Sequence, residues 1–217
     1  MSESYTALAA DTLDPARPFT DPGHAAADLG HLREVARCLR AALSVWESAP
    51  PTPLTIVRHR EPDGRACRVV IARGAALLQA ERCAVVGFFG RRRPDADSAA
   101  ALLDQTDQAL LEEFLPHPQI LAYCSQERST EGWGNLVLMS DESAKTQWAA
   151  SERHWQAATV LAPRYYAWVR IHNGALDGRV RAGGVLRLLR TKYFDYSAGG
   201  LWRGLRVLDP PPEVAVV

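Results

Sequence analysis

The sequence predicts an α+β protein built on a ferredoxin-like βαββαβ core, and two observations carry that expectation. Residues 83–174 run through CAVVGFFGRR, DSAALLDQTDQALLEEFL, QILAYCSQE, GNLVLMS, ESAKTQWAASERHWQAAT and YYAWVRIHN, which read as strand, helix, strand, strand, helix and strand. Each piece is short and sharply bounded. That order gives an antiparallel sheet with both helices on one face. The chain then divides into a flexible arm over 1–20, a helix and β-hairpin extension over 21–80, the core over 81–176, and a C-terminal strand extension and tail over 177–217.

Taken in order, residues 1–20 carry small and acidic residues with Pro15 and Pro18 and show no periodicity, so they read as a loose arm. Asp21–Pro22 is a helix start, the carboxylate capping free N–H groups and the proline sitting where its missing donor costs nothing. The helix runs to about Ser48, with Leu32, Val35, Ala36, Leu39, Leu43 and Trp46 at a 3.6-residue period opposite Arg33, Arg37, Arg40 and Glu47. Such a stripe must dock on something apolar. Three prolines within 49–53 end it, and two β-branched runs around Pro62-Asp63-Gly64 read as a hairpin that extends the core sheet. After the core, RAGGVLRLLRTKYFDY and GGLWRGLRVL read as two further strands. The seven basic residues of 179–206 against the single acid Asp195 fit a solvated face, or a seam against the acidic arm.

Composition narrows the function. The chain has 217 residues and 47% apolar content, enough to build a core without staples. Lys plus Arg equals Asp plus Glu at 25 each, so no global field draws it to nucleic acid or to a membrane. Cys38, Cys67, Cys83 and Cys124 lie far apart without CxxC spacing and read as buried free thiols. With no spanning apolar run and no signal-like N-terminus, a cytoplasmic location is expected. There is no GxSxG elbow, no GxxxxGK[ST] loop and no GxGxxG after a strand, which weakens hydrolase, kinase and dinucleotide readings.

Strand alternation sorts the candidate site residues. Ala167, Val169 and Ile171 form an apolar row suited to the helices, which assigns Tyr166, Trp168, Arg170 and His172 to the opposite face. Placing Ile120, Ala122, Cys124, Leu136 and Leu138 under the helices adds Tyr123, Ser125, Glu127, Trp133, Asn135, Val137 and Met139 to that second face. A face so aromatic and mixed fits a homodimer interface, alone or enclosing a small-molecule ligand. Arg170, buried there, needs a carboxylate or an anionic ligand, and Glu127 is the in-chain partner expected.

The second core helix sets Trp148, Ser151, Trp155 and Ala158 on one stripe with His154 at its edge. An imidazole there is either a satisfied structural residue or a group able to shuttle a proton or ligate haem iron. His24, Asp28 and His31 share a helical face at spacings of four and three, a geometry suited to a divalent cation. Neither a third strong ligand nor an HExxH pattern joins them, so no metal is expected.

The stretch from VVGFFGRR through GNLVLMSDESAKTQWAASERHW to YYAWVRIHNG resembles the antibiotic biosynthesis monooxygenase family of the dimeric α/β barrel superfamily. The likeness lies in the strand order, the NLVL strand with its acidic turn, and a helix bearing Trp148 and His154 ahead of a Tyr-rich strand. It implies a dimeric α/β barrel closed through the open sheet face and a cofactor-independent oxygenase acting on an aromatic or polyketide-like substrate. Haem-degrading members make a haem enzyme or haem carrier, with His154 as axial ligand, the alternative. A non-catalytic homodimeric binding protein is the third. The resemblance implies catalytic roles for Trp148, His154 and Asn135, to which Arg170 is added, with Tyr123, Trp133, Tyr166, Trp168 and His172 binding substrate. The haem-degrading branch draws its asparagine from the first strand, and residues 84–90 hold none.

Overall fold

The computed structural model describes residues 4–46, 54–96, 111–128, 132–197 and 200–208. Among these residues nine strands form one sheet: β1 (Thr6–Leu8), β2 (Thr55–Arg60), β3 (Ala66–Ile71), β4 (Arg82–Arg92), β5 (Ile120–Glu127), β6 (Trp133–Met139), β7 (Tyr166–Asp177), β8 (Val185–Asp195) and β9 (Trp202–Val207). Their order is β1-β9-β8-β7-β4-β6-β5-β3-β2. Every neighbouring pair is antiparallel except β1 with β9.

This mixed nine-stranded sheet overturns the expected small ferredoxin-like core closing as a dimeric α/β barrel. The reason lies in the flanking strands. The segment expected to close as a barrel supplies β4, β5, β6 and β7, but β3 of the hairpin hydrogen-bonds to β5 and β8 to β7, so the sheet continues past both of its edges. A second reason is α1 (Gly23–Ser44), which lies across the sheet face that was to meet a partner molecule.

The stripe of α1 explains that docking. Leu32, Val35, Cys38, Leu39 and Leu43 are essentially inaccessible and pack on Val69, Ile71, Val85, Phe89, Cys124, Leu136, Leu138, Leu186 and Leu188. At about 25 cal/mol per Å² of apolar surface, burying side chains of this size stabilises the fold by roughly 1.5–3 kcal/mol each. Asp21 starts the helix as anticipated, its Oδ1 accepting the Gly23 N–H at 2.8 Å. Two glycines let the helix settle close. A Cβ on Gly87 would stand 2.7 Å from Leu32 Cδ1, and one on Gly134 would stand 2.3 Å from the His31 ring. The arm is likewise tied down, β1 pairing with β9 and Phe19 and Thr20 buried.

The opposite face carries a second core of Val70, Ala84, Leu111, Phe114, Ile120, Met139 and Ala144, with Val86, Tyr123, Val137 and Trp148 packed against it. While α2 (Gly74–Gln79) adds Leu77 to the first core, the second face holds the short helices α3 (Ser143–Ala149), α4 (Glu152–Gln156) and α5 (Ala162–Tyr165), the last two joined by a π-helical turn over Ala157–Leu161. Among the described residues no helix is long and apolar enough to cross a membrane.

Candidate functional site

The register divides the anticipated site residues between the two faces. Directly paired residues share a face, and Leu136 pairs with Gly87, which pairs with His172, which pairs with Thr191. Leu136 and Leu138 therefore lie with Arg170 and His172 under α1, and Val169 and Ile171 point the other way. Two corrections follow: Arg170, His172 and Trp168 face α1, whereas Tyr123, Trp133, Asn135 and Tyr166 share the face of Trp148 and His154. Ile120 also leaves the row of Ala122 and Cys124, because a bulge between Ile120 and Ala122 turns it toward Met139. Sorting by hydrophobicity failed on β7 because its polar row is buried beside a charge of opposite sign.

That charge is Asp28 on α1. Arg170 donates from Nε to Oδ2 at 2.8 Å and from Nη2 to Oδ1 at 3.0 Å, and His172 Nε2 meets Oδ2 at 2.9 Å. On its other side His172 Nδ1 meets Thr191 Oγ1 at 2.8 Å. Arg206 adds hydrogen bonds to Thr20 O at 2.6 Å, the Tyr193 hydroxyl at 2.8 Å and Ala9 O at 3.0 Å, and a further one to Thr12 O. Burial alone would raise the Asp28 carboxyl, but the bonds from His172 and Arg170 outweigh it and hold its pKa below the ordinary value. Glu127, the expected partner of Arg170, instead accepts the Ala66 N–H at 3.1 Å. Trp168 stacks on Phe19 with centroids 5.2 Å apart and lies under the Arg170 guanidinium. Asp28, Arg170 and His172 are at most 2% exposed, so this network fastens arm and helix to the sheet and presents nothing to a substrate.

The opposite face brings Trp148 and His154 together, their rings 5.3 Å apart. Trp148 also meets His117 edge-on at 5.2 Å and Phe114 at 5.4 Å, and Phe114 leads on to Tyr123 at 5.8 Å. Locally the arrangement comes from the break between α3 and α4. Ser151 caps α4 by accepting the His154 N–H at 3.3 Å while its hydroxyl donates to Glu113. Arg153 Nε lies 3.5 Å from the same carboxylate. Burial pushes the His154 imidazole below its ordinary pKa, with Glu113 pulling the other way, so at neutral pH it is an uncharged proton acceptor. Its buried Nδ1 has no hydrogen-bond partner among the described residues. Asn135 lies on this face and is half-buried, paired across the sheet with Phe88 and Ser125. Tyr166 packs on Phe88 at 5.4 Å, and Trp133 is exposed at the start of β6.

A third cluster went unforeseen, no metal having been expected. Cys38 of α1, His59 of β2 and Cys67 of β3 converge, with one ligand atom from each lying within 4.8 Å of the others. Glu61 joins them: its Oε1 accepts from the Cys38 thiol at 3.2 Å and meets His59 Nε2 at 2.9 Å. Part of this was within reach of the sequence, because the turn at Pro62-Asp63-Gly64 fixes the hairpin register that sets His59 opposite Cys67. By contrast His24, Asp28 and His31 do not assemble a cation site, since Asp28 is committed to Arg170 and His172. Comparison of the chain with protein-family models, with curated proteins and with solved structures found no match in any of the three.

Proposed function

We propose that the chain is a small-molecule enzyme of a cofactor-independent, monooxygenase-like kind, acting on a hydroxylated aromatic compound at Trp148 and His154. The observation that carries this reading is the neutral His154 imidazole, with an unpartnered buried nitrogen, held against the Trp148 ring. An indole face offers a stacking platform for a flat substrate, and a neutral imidazole takes the proton of a phenol. The phenolate so formed is electron-rich enough to react with dioxygen, a phenol and dioxygen together giving a quinone and water. Ser151, bonded to Glu113, stands one helical turn from His154 and is placed to orient a polar substituent.

Thermal melting with a panel of hydroxynaphthalenes tests the reading, because a ligand that binds only the native state raises the melting temperature. A rise is expected in the wild type and its loss in Trp148→Ala and His154→Ala, accompanied by oxygen consumption that only the wild type supports. Stabilisation without oxygen uptake would make the chain a binding protein. A saturable Soret shift with haem, lost in His154→Ala, would replace the reading with haem ligation. If neither phenols nor haem bind, the site is structural.

A further inference from the structure

We propose that Cys38, Cys67, His59 and Glu61 form a binding site for zinc or a divalent cation of similar softness, joining α1 to the edge hairpin β2–β3. Two thiols, an imidazole and a carboxylate are the donor set that zinc takes in tetrahedral sites. With Zn–S near 2.3 Å and Zn–N near 2.0 Å, the edges of such a tetrahedron are about 3.5–3.8 Å. The three N/S ligand atoms already lie within 4.8 Å of one another, so a contraction of about an ångström completes the geometry. Glu61 Oε1, at 3.2 Å from Cys38 Sγ and 2.9 Å from His59 Nε2, stands where the fourth ligand belongs.

One side-chain donor already faces the Cys38 sulfur. Gln126, which pairs with Cys67 across the sheet and is fully buried, points its side-chain N–H at Cys38 Sγ from 3.6 Å. An amide donor aimed at sulfur supports the ionised form that a metal requires. Arg37 Nη2 holds the outer oxygen Oε2 of Glu61 at 3.1 Å, leaving Oε1 turned inward. The charges close as well: two thiolates and a carboxylate carry three negative charges, the cation supplies two positive ones, and Arg37 the third. An entry path exists, since Cys38 and Cys67 are buried but the His59 side chain is one-third exposed on the edge strand.

The test titrates the reduced, chelator-treated full chain with Co²⁺ under anaerobic conditions. Expected are saturation at one equivalent, a near-ultraviolet thiolate-to-cobalt charge-transfer band with intense visible bands of tetrahedral cobalt, and displacement of both by Zn²⁺. Cys67→Ser should remove the charge-transfer intensity. Because burial puts that variant's folding at risk, His59→Ala is the second arm: its side chain is partly exposed, so its far-ultraviolet dichroism should match the wild type while zinc affinity falls at least tenfold. Absence of a saturable cobalt spectrum in the reduced wild type overturns the proposal. So does a folded His59→Ala chain that binds zinc as tightly as the wild type.

Discussion

The two faces of the sheet bury polar groups differently, although His31 Nε2 on the α1 face, like His154 Nδ1, bonds to none of the described residues. Under α1, Asp28, Arg170, His172, Thr191, Tyr193 and Arg206 interlock through short hydrogen bonds, and each charge lies within reach of its opposite or of carbonyl oxygens from the arm. Across the sheet the Trp148 cluster is held by rings, and its one inward imidazole nitrogen bonds to none of the described residues. A buried ion pair gives little net stability but is costly to break, whereas ring packing is less directional and more forgiving. The α1 face is therefore the more brittle of the two, and the Trp148 face the one able to exchange partners.

The largest expected effect is on the brittle side. Asp28→Ala strands Arg170 and should cost about 3–5 kcal/mol in denaturant unfolding at neutral pH. The double variant Asp28→Ala, Arg170→Met should recover much of that loss, the signature of a coupled pair. A loss below about 1 kcal/mol for the single change would erase the contrast between the faces. Next in size, Trp148→Ala should cost about 2 kcal/mol, less than a fully buried tryptophan because the ring is only half covered. A greater loss for Trp148→Ala than for Asp28→Ala would reverse the order of brittleness.

The smallest effect is a slope with pH. Burial holds His24, His31 and His154 below the ordinary histidine pKa, so between that value and their folded values the unfolded chain binds more protons than the native one. Stability should therefore rise as pH increases from about 5 to 7, and His154→Gln should flatten the rise. Asp28 acts in a separate window. Its folded pKa is depressed, so its contribution is present above the unfolded carboxylate value, near 4, and fades only as pH falls further. Melting temperatures of wild type and His154→Gln across pH 5–8 measure the slope.

How much of this was legible follows from distance along the chain. The α1 stripe and the hairpin around Asp63-Gly64 are local patterns, and Leu32, Val35, Leu39 and Leu43 were read correctly as one buried row. That the hairpin extends the sheet was read, but the edge it joins was not legible, because nothing in a strand's own alternation says which edge it will meet. Arg170 was recognised as needing a carboxylate, but Asp28 lies 142 residues away and carries no spacing signal that would select it over Glu127. Assigning β7 by its apolar row then inverted that strand, and with it the grouping of Arg170, His172 and Trp168 with Tyr123 and Asn135. Trp148 and His154 were read onto one helix, but it is the break at Ser151 between α3 and α4 that brings their rings together.

The parallel pairing of β1 with β9 carries a consequence for how the chain matures on the ribosome. Thr6–Leu8 and the apolar side of α1 are synthesised first, yet their partners Leu186, Leu188 and Gly204–Arg206 come near the end. At about 5–20 residues per second, the nascent helix waits on the order of 10–30 s for the last strands of its floor. Completion of the sheet is thus late and of high contact order, which slows it and prolongs the exposure of an early apolar segment to chaperones. Moving Gly23–Ser44 to follow β9 by circular permutation would deliver that helix to a finished floor and should shorten the interval in which the chain can aggregate.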